Sequence, residues 1–348
     1  MRLRLFPKNK EFTASAPCRI DSGGTWDIKA MALPYESISP TTVNIALSMR
    51  TTVSIAAFEK GKIKISSEGF SKAEEYDALR PALTGRFAIF AAMIRHAALH
   101  GLELKIKSDA PVRSALGGSS TALVAAIKAL SKTLSYLGAR PLTKKDILIL
   151  AYHIEDAINH GGCGMQDHAA AVYGGVNQWL WRYSKSSSPF QRKRIGNNHF
   201  HRHLSRRLLV AYSGKTHSSL QINRKWVEDF LSGKTTQGWI EVNRTVSRFA
   251  RALEEENWED CARFIREEMT IRREITPEAL VPETALLIEQ AEEAGCGARF
   301  AGAGAGGVVW AIGPQKKVTE LRKVWKKTLS TIKGARLLEC RVEGMGVS

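Results

Sequence analysis

Four consecutive small residues, Gly117, Gly118, Ser119 and Ser120, have the clearest capacity for chemistry in this sequence. Glycine lets a ligand approach backbone amides closely, and a serine hydroxyl can cap a helix, bond a phosphate oxygen or ligate a metal. The first-turn N–H groups of a helix lack intrahelical partners, and the helix dipole places partial positive charge there. The segment therefore predicts a cradle for an anion, phosphate above all. It is neither a Walker A loop nor a dinucleotide-binding Gly-x-Gly-x-x-Gly pattern, and a tight turn with a serine cap is the alternative.

Asp167 is the strongest candidate for a catalytic carboxylate. It follows a glycine-rich stretch and begins a predicted short helix, where helix amides keep a carboxylate ionised. Such a group could accept the proton of a hydroxyl that attacks a phosphate, although an N-cap without chemistry is the alternative. Glu155 and Asp156 lie in the last turn of the preceding predicted helix, where carboxylates oppose the helix dipole. They are therefore either exposed or close to a positive charge, such as a magnesium ion.

The N-terminal stretch from Arg19 to Asp27 contains a second group of polar residues. A double-glycine turn within it predicts that Asp21, Trp26 and Asp27 lie on a loop rim rather than in a core. Carboxylates accept hydroxyl hydrogen bonds, and a tryptophan face can pack on the C–H side of a sugar. The stretch would thus suit a polyhydroxylated ligand, and a glycine turn with solvated acids is the alternative.

Two segments of the C-terminal half also attract attention. Four glycines stand within six positions, at Gly302, Gly304, Gly306 and Gly307. They require a very close backbone approach or an unusual turn. A polar loop after the apolar run 208–212 contains Lys215, which could supply a positive clamp; a surface loop is the alternative.

The periodicity of apolar residues predicts the elements that position these groups. A strand over 102–106 leads into the small-residue loop, and a helix over 123–137 follows it, with Gly138 as C-cap. A capping box formed by Thr143 and Asp146 opens a helix that runs to about Ala157. The remaining predictions are strands over 52–58, 63–66, 208–212 and 337–342, and helices over 87–98, within 221–294 and over 316–329.

Three of these motifs, in this order, resemble those of the GHMP kinases (galactokinase, homoserine kinase, mevalonate kinase, phosphomevalonate kinase and relatives). The segment 111–121 resembles their phosphate-binding motif, 159–177 their Gln-Asp segment and 299–307 their third, glycine-rich motif. The N-terminal stretch and the Gln-Asp segment are most similar to the fucokinase, D-glycero-D-manno-heptose 7-phosphate kinase and galactokinase branch. The loop at 213–219 resembles a family segment that borders the sugar, with His217 in place of the usual arginine.

The resemblance implies a role for each matching residue. Asp167 would be the catalytic aspartate, with Arg19 neutralising charge or holding Asp167, and Ser120 and Glu155 would ligate magnesium. ATP would contact Pro111, Ser114, Leu116, Gly117, Gly118, Ser119, Ser120, Gly302, Gly304, Gly306 and Gly307. The acceptor would contact Asp21, Asp27, Gln166, Asn177 and Lys215.

Composition limits the other classes of function. The 348 residues are 44% hydrophobic, and no window is apolar enough to cross a bilayer, so we expect a cytoplasmic globular protein without a membrane partner. The five cysteines are odd in number and scattered, which favours neither a disulfide framework nor a zinc site. The net charge of +17 comes mainly from clusters at 191–194, 201–207 and 316–327, which we interpret as solvated faces. Nucleic acid is not an expected partner, because no zinc finger or RNP-type motif accompanies the charge.

The sequence thus predicts an α+β fold of two domains, with residues 1–206 carrying the phosphate loop and catalytic aspartate and residues 207–348 forming the second domain. The resemblance implies a left-handed βαβ unit in the first, a ferredoxin-like second domain and an active site between them. The resemblance also implies transfer of phosphate from ATP, with Mg²⁺, to a sugar or sugar-phosphate hydroxyl, the anomeric one by its fucokinase, galactokinase and heptose-kinase branch. A non-catalytic sugar and nucleotide sensor, a nucleic-acid-binding protein and a kinase of a non-sugar acceptor remain the alternatives. The sequence leaves a homodimer open.

Overall fold

Two large β-sheets with helices packed on them, and one short two-stranded sheet, form the protein, as a computed structural model shows for residues 3–80, 84–185, 188–216 and 220–348. The strands are β1 (Arg4–Leu5), β2 (Glu11–Ser22), β3 (Thr41–Ala57), β4 (Lys62–Ser67), β5 (Glu74–Asp77), β6 (Leu99–His100), β7 (Leu102–Ser108), β8 (Val176–Trp181), β9 (Phe190–Ile195), β10 (Leu208–Tyr212), β11 (Gly297–Phe300), β12 (Val308–Ile312) and β13 (Arg336–Leu337). The helices are α1 (Lys29–Ala32), α2 (Ala88–His96), α3 (Gly118–Tyr136), α4 (Lys144–Ile158), α5 (Gln166–Tyr173), α6 (Asn198–Ser205), α7 (Leu220–Leu231), α8 (Thr236–Glu254), α9 (Trp258–Ile275), α10 (Pro282–Glu293) and α11 (Gln315–Ser330). Short 3₁₀ helices span Leu33–Ile38 and Pro277–Ala279.

The first sheet is mixed and is built around β3. The strand order is β5-β4-β7-β3-β8-β9, with β2 also paired to β3 and only β4 and β7 running parallel. β3 is 17 residues long: its first part pairs with β8 and its last part with β7, while β2 pairs along most of its length. The sequence predicted only its second half, where buried and partly exposed residues alternate. The first half is buried throughout and gives no period-two signal.

The second sheet is antiparallel and has the order β11-β12-β10-β13. When these four strands are numbered 1 to 4 in chain order from β10, the sheet order is 2-3-1-4. This is the strand order of a ferredoxin-like sheet, as predicted. The two-domain α+β prediction is therefore confirmed. The handedness of the crossover between β4 and β7 and the boundary at residue 206 stay predictions.

Local helix signals are reproduced closely. Thr143 accepts a hydrogen bond from the Asp146 amide while Asp146 bonds back to Thr143, so the predicted capping box is confirmed. Gly138 follows α3 with φ of +89°, a conformation that favours glycine at a helix C-terminus.

The predicted final strand over 337–342 is wrong in extent. β13 covers only Arg336–Leu337, after which the chain leaves the second sheet and returns to the first. The amide of Ser48 donates to Arg341 O at 2.8 Å, and the amide of Glu343 donates to Ala46 O at 2.8 Å. The tail therefore divides its backbone hydrogen bonds between two sheets, which a local apolar pattern cannot predict.

Among the described residues, no helix is both long and apolar enough to cross a membrane.

Candidate active site

The predicted phosphate cradle is the N-terminus of α3. Gly117 is the N-cap residue with φ of +73°, and no side chain caps the helix. Arg113 and Ala115, in the loop before it, also have positive φ values of 53° and 64°. Such conformations cost non-glycine residues about 1–3 kcal/mol each and often mark ligand-binding loops. The first-turn amides of α3 thus remain available to an anion.

Asp167 lies directly against this cradle. A Cβ atom on Gly117 would stand 3.1 Å from Asp167 Oδ2, so only a residue without a side chain leaves the carboxylate this close. Arg19 holds the other oxygen: its Nε donates to Asp167 Oδ1 at 2.7 Å, and its Nη2 lies 2.6 Å from the same atom. The third guanidinium nitrogen donates to Ala115 O at 2.7 Å. Arg19 therefore fixes the carboxylate relative to the loop.

Charge on Arg19 is maintained despite its burial. Burial lowers the pKa of the guanidinium, but the carboxylates of Asp167 and Asp21 raise it above its usual value. Arg19 thus remains a cation within the cleft.

Asp27 lies near Asp167 and is buried, with 2% of its surface exposed. The amide of Gln166 donates to Asp27 Oδ2 at 2.9 Å, and Asn44 donates to Gln166 Oε1 at 2.9 Å. A Cβ atom on Gly164 would lie 1.9 Å from Asp27 Oδ2, so this position requires glycine. Burial raises the pKa of Asp27 to about 7, the Gln166 amide partly offsets the rise, and Asp167 adds to it.

The raised pKa of Asp27 predicts a pH-dependent contribution to stability. Because the folded-state pKa is about 7 and the ordinary value is 3.8, the folded protein binds the proton more tightly than the unfolded chain does. The contribution is therefore fully present below about pH 4 and is lost as the pH rises through about 7. We expect the free energy of unfolding of the wild type, minus that of Asp27→Asn, to fall over this interval in denaturant titrations. A difference that rises or stays constant with pH would contradict the assignment.

Glu155, Ser120 and His168 meet behind the cradle. Ser120 Oγ donates to Glu155 Oε2 at 2.7 Å, and His168 Nε2 lies 2.6 Å from the same oxygen. Burial raises the pKa of Glu155, but the neighbouring imidazole and the hydroxyls of Ser120 and Ser119 lower it below its ordinary value. A hydroxyl and an ionised carboxylate are hard oxygen ligands of the kind Mg²⁺ prefers, so the residues present fit this ion.

Asp21 and Trp26 correct the prediction of a solvated loop rim. Trp26 is fully buried and donates to Trp239 O at 2.9 Å. Asp21 Oδ2 accepts from Arg299 Nη1 at 2.9 Å, and Asp21 Oδ1 accepts from the Gly302 amide at 2.7 Å. Burial raises the pKa of Asp21, but the Arg19 and Arg299 guanidiniums hold it below its usual value. The double-glycine turn is covered by helices from the second half of the chain, a contact that local turn chemistry does not reveal.

These groups line one cleft of about 840 Å³. Of the residues predicted to be functional, its walls include Arg19, Asp27, Pro111, Ser114, Gly117, Gly118, Ser119, Ser120, Glu155, Gln166, Asp167 and Gly302. Leu116 is buried beneath the loop, and Gly307 packs against Ser114 O, where a Cβ atom would lie 2.7 Å away. Gly304 packs on Ala279 and Gly306 on the backbone at 215–216.

Besides Asp21, two residues predicted to contact the acceptor have other partners. Asn177 is buried, donates to Gly174 O at 2.8 Å and accepts from Arg192 at 2.7 Å. Lys215 is exposed and lies 3.0 Å from Glu283. His217 lies outside the described residues.

The sequence interpretation missed the apolar end of the cleft. Phe70, Phe87, Phe90 and Val112 line it, and the Arg86 guanidinium lies 4.4 Å from the centre of the Phe70 ring. Phe87 and Phe90 carried an ordinary helical period, which signals burial but not which side a cleft will open on. An apolar slot at one end and an anion cradle with carboxylates at the other suit a ligand with one flat apolar part and one charged part.

Protein-family models and a related enzyme match parts of this sequence. Models of the GHMP kinases N-terminal and C-terminal domains match residues 85–175 and 249–331. A D-glycero-alpha-D-manno-heptose 7-phosphate kinase of Campylobacter jejuni is 30% identical over 176 residues, which is 48% of this chain and only half of that relative's length.

Solved structures are similar over nearly the whole chain. Lactococcus lactis galactokinase, solved with galactose, has a TM-score of 0.75 and 17% identity, covering 98% of this chain and 95% of its own. A D-glycero-D-manno-heptose 1-phosphate kinase from Bacteroides thetaiotaomicron has a TM-score of 0.70 and 18% identity, covering 96% and 97%. At these identities the likeness concerns the fold. The chain belongs to the GHMP kinase family, because the models of both domains of that family match it.

Proposed function

We propose that this protein transfers the γ-phosphate of ATP to a hydroxyl of a sugar or sugar phosphate, with Mg²⁺ as the metal. The observation that carries the proposal is the position of Asp167, which is held by Arg19 at the N-terminus of α3 and faces the same cleft as Asp27. The carboxylate thus stands where a hydroxyl would meet a phosphate bound to the helix amides. The named activities of the heptose kinase and galactokinase relatives support a sugar acceptor.

Each group has a distinct part in the proposed reaction. The α3 amides hold phosphate oxygens, and Asp167 orients the attacking hydroxyl and accepts its proton. The hydroxyl oxygen bonds to the γ-phosphorus as the bond from that phosphorus to the bridging oxygen breaks, and ADP leaves. Arg19 fixes the position of Asp167 through two contacts to Oδ1, and positioning dominates phosphoryl transfer. Ser120 and Glu155 would hold Mg²⁺, which would supply neutralisation of charge on the phosphate oxygens.

We assign acceptor recognition to the part of the cleft that Asp27 and Gln166 line. The backbone amide of Gln166 holds the Asp27 carboxylate, and Asn44 holds the Gln166 side chain. Carboxylate and amide oxygens match the hydroxyl groups of a sugar. We infer an anomeric hydroxyl as the site of transfer and an acceptor like heptose 7-phosphate, fucose or galactose, because of the motif resemblance and the heptose kinase relative.

The basic clusters of the sequence do not favour nucleic-acid binding at this site. Within the described chain, the walls of the cleft contain no residue from 191–194, 201–207 or 316–327. Their charge therefore belongs to other surfaces.

The proposed function is tested by measuring Mg²⁺-dependent ADP formation from ATP over a panel of fucose, galactose, arabinose, other free hexoses and heptose 7-phosphate. One strong acceptor, with phosphate recovered on the sugar by NMR, is the expected result. Nucleotide binding without turnover on any acceptor would contradict a sugar kinase and favour a sensor. Turnover with mevalonate or homoserine would retain the kinase and overturn the acceptor class.

Glu155→Gln is expected to weaken the binding of Mg²⁺ specifically. The amide keeps the shape and the hydrogen bond from Ser120 but loses the negative charge. We expect the Mg²⁺ concentration that gives half-maximal activity to rise roughly 10–100-fold. Mutating a residue that only hydrogen-bonds to a metal ligand already lowers metal affinity or activity by about this factor. Exposed Glu254, paired with Lys193 at 2.7 Å, offers the control variant Glu254→Gln. An unchanged magnesium titration in Glu155→Gln would remove Glu155 from the metal site.

A further inference from the structure

A thiol, an imidazole and a carboxylate converge beneath the phosphate cradle. Glu155 ends α4, Cys163 lies in the glycine-rich turn that follows, and His168 is in the first turns of α5. One potential ligand atom from each residue lies within 4.8 Å of the others. Cys163 is partly exposed and lines the cleft, so solutes can reach the cluster.

His168 provides a second, independent observation. Its side chain has no exposed surface, yet neither ring nitrogen has a partner in hydrogen-bond geometry within the described chain. Nε2 nevertheless lies 2.6 Å from Glu155 Oε2. In the ion-free protein this contact is an ion pair, whereas Nδ1 has no partner within the described chain. Two tetrahedral ligands about 2.1 Å from a metal stand roughly 3.4 Å apart, so Nε2 and Oε2 need to separate by less than about 1 Å to hold one ion.

The electrostatic surroundings favour a cation. Asp156 Oδ1 accepts a hydrogen bond from the Cys163 amide at 3.3 Å, and the Asp27 carboxylate packs against the next residue, Gly164. The Cys163 thiol itself donates to Gly164 O at 3.2 Å. A divalent ion would compensate the negative charge collected around the cluster.

We propose that Glu155, Cys163 and His168 form a binding site for Zn²⁺ or a similar thiolate-preferring divalent ion. Zinc takes cysteine sulfur, histidine nitrogen and carboxylate oxygen, whereas magnesium takes oxygen ligands almost exclusively. The three residues leave a fourth tetrahedral position on the ion for water or a phosphate oxygen. On binding, the Cys163 S–H bond breaks, the proton goes to solvent and a metal–sulfur bond forms.

The proposed zinc site shares Glu155 with the proposed magnesium site. One carboxylate oxygen cannot serve both ions at full strength, so zinc would exclude the metal that the kinase reaction needs. This competition rests on the proposed function, and it makes micromolar zinc an inhibitor that competes with Mg²⁺. The zinc site itself does not depend on turnover.

Co²⁺ is the probe that reports the thiolate directly. The protein, freed of metal with a chelator, is titrated with Co²⁺ in the His203→Ala background. That change removes the surface group His199, His203 and Glu256, the other three-residue cluster found in the described chain. We expect one bound ion, a near-ultraviolet thiolate-to-cobalt absorption and d–d bands typical of tetrahedral coordination, all displaced by Zn²⁺. Cobalt binding without the thiolate absorption would overturn the proposal.

Serine variants of two cysteines show which sulfur atom binds the metal. Cys163→Ser is expected to abolish the charge-transfer absorption and weaken Zn²⁺ binding at least tenfold, while Cys340→Ser, at another partly exposed cysteine, changes neither. His168→Gln should weaken Zn²⁺ binding and keep the absorption. If Cys163→Ser does not fold, iodoacetamide labelling of the folded wild type replaces it: Zn²⁺ should protect Cys163 at least tenfold, and equal labelling with and without Zn²⁺ would overturn the site.

Kinase assays then test the shared ligand separately. Inhibition by Zn²⁺ should be relieved by added Mg²⁺ and should weaken at least tenfold in Cys163→Ser. Zinc binding with no effect on the magnesium titration would overturn the sharing of Glu155. If the protein gives the expected cobalt spectra but phosphorylates no acceptor, the metal site is supported and only the proposed function is contradicted.

Discussion

Replacing Asp167 by asparagine is expected to lower kcat by about 10²–10⁴-fold, the usual loss when a positioned acid or base is removed. Asparagine keeps the shape beside Gly117 but cannot accept the hydroxyl proton. Arg19 loses its charged partner, yet its hydrogen bond to Ala115 O at 2.7 Å remains to hold the loop. We therefore expect ATP affinity to change much less than turnover. Single-turnover measurements of phosphate transfer, with nucleotide binding measured in parallel, separate the two effects.

Asp260→Asn is a suitable control for this prediction. Asp260 is an exposed carboxylate in the first turn of α9 and pairs with Arg263 at 2.7 Å. Exposed pairs contribute at most about 1 kcal/mol, so kcat should stay within a factor of two or so. If Asp167→Asn keeps near wild-type turnover on the acceptor found in the panel, Asp167 is not the proton acceptor and the proposed mechanism fails.

Arg299→Met is expected to lower the free energy of unfolding by about 3–5 kcal/mol, as breaking a buried ion pair does. Arg299, in β11, contacts Asp21 at 2.9 Å and Glu268 at 3.4 Å, and none of the three side chains is exposed. Methionine fills similar volume but removes the guanidinium from both buried carboxylates, and among the described residues only Asp21 keeps another ion-pair partner, Arg19 at 3.4 Å. The same change frees Asp21, which holds the Gly302 amide at 2.7 Å, so activity should fall as well.

Denaturant titrations of Arg299→Met and Arg263→Met test this prediction together. Arg263 pairs with Asp260 and Glu267 at the surface, with 47% of its side chain exposed. Its replacement should cost less than about 1 kcal/mol. Equal losses in the two variants would show that the buried network at Arg299 contributes no more than a surface pair.

The sequence by itself identified the groups that chemistry requires. The glycine and serine residues before α3, the carboxylates Glu155 and Asp167, and the capping box at Thr143 depend on local rules of helix ends and turns. Such rules act within a few residues, so they can be read before the fold is known. The period of apolar residues likewise predicted β7, β10, α3 and α11 within a few residues of their ends.

The tertiary structure decided which of those groups meet and which are buried. Asp27 and Gln166 are 139 residues apart but hydrogen-bonded, and Asp21 reaches Arg299 across 278 residues. Trp26 and Asp21, predicted on an exposed rim, lie beneath helices of the second half of the chain. The metal-binding potential of Cys163 also arises only there, because its spacing from Glu155 and His168 matches no local motif. Long-range packing sets burial, burial sets the pKa of Asp27, and neither can be obtained from residues that are neighbours only in sequence.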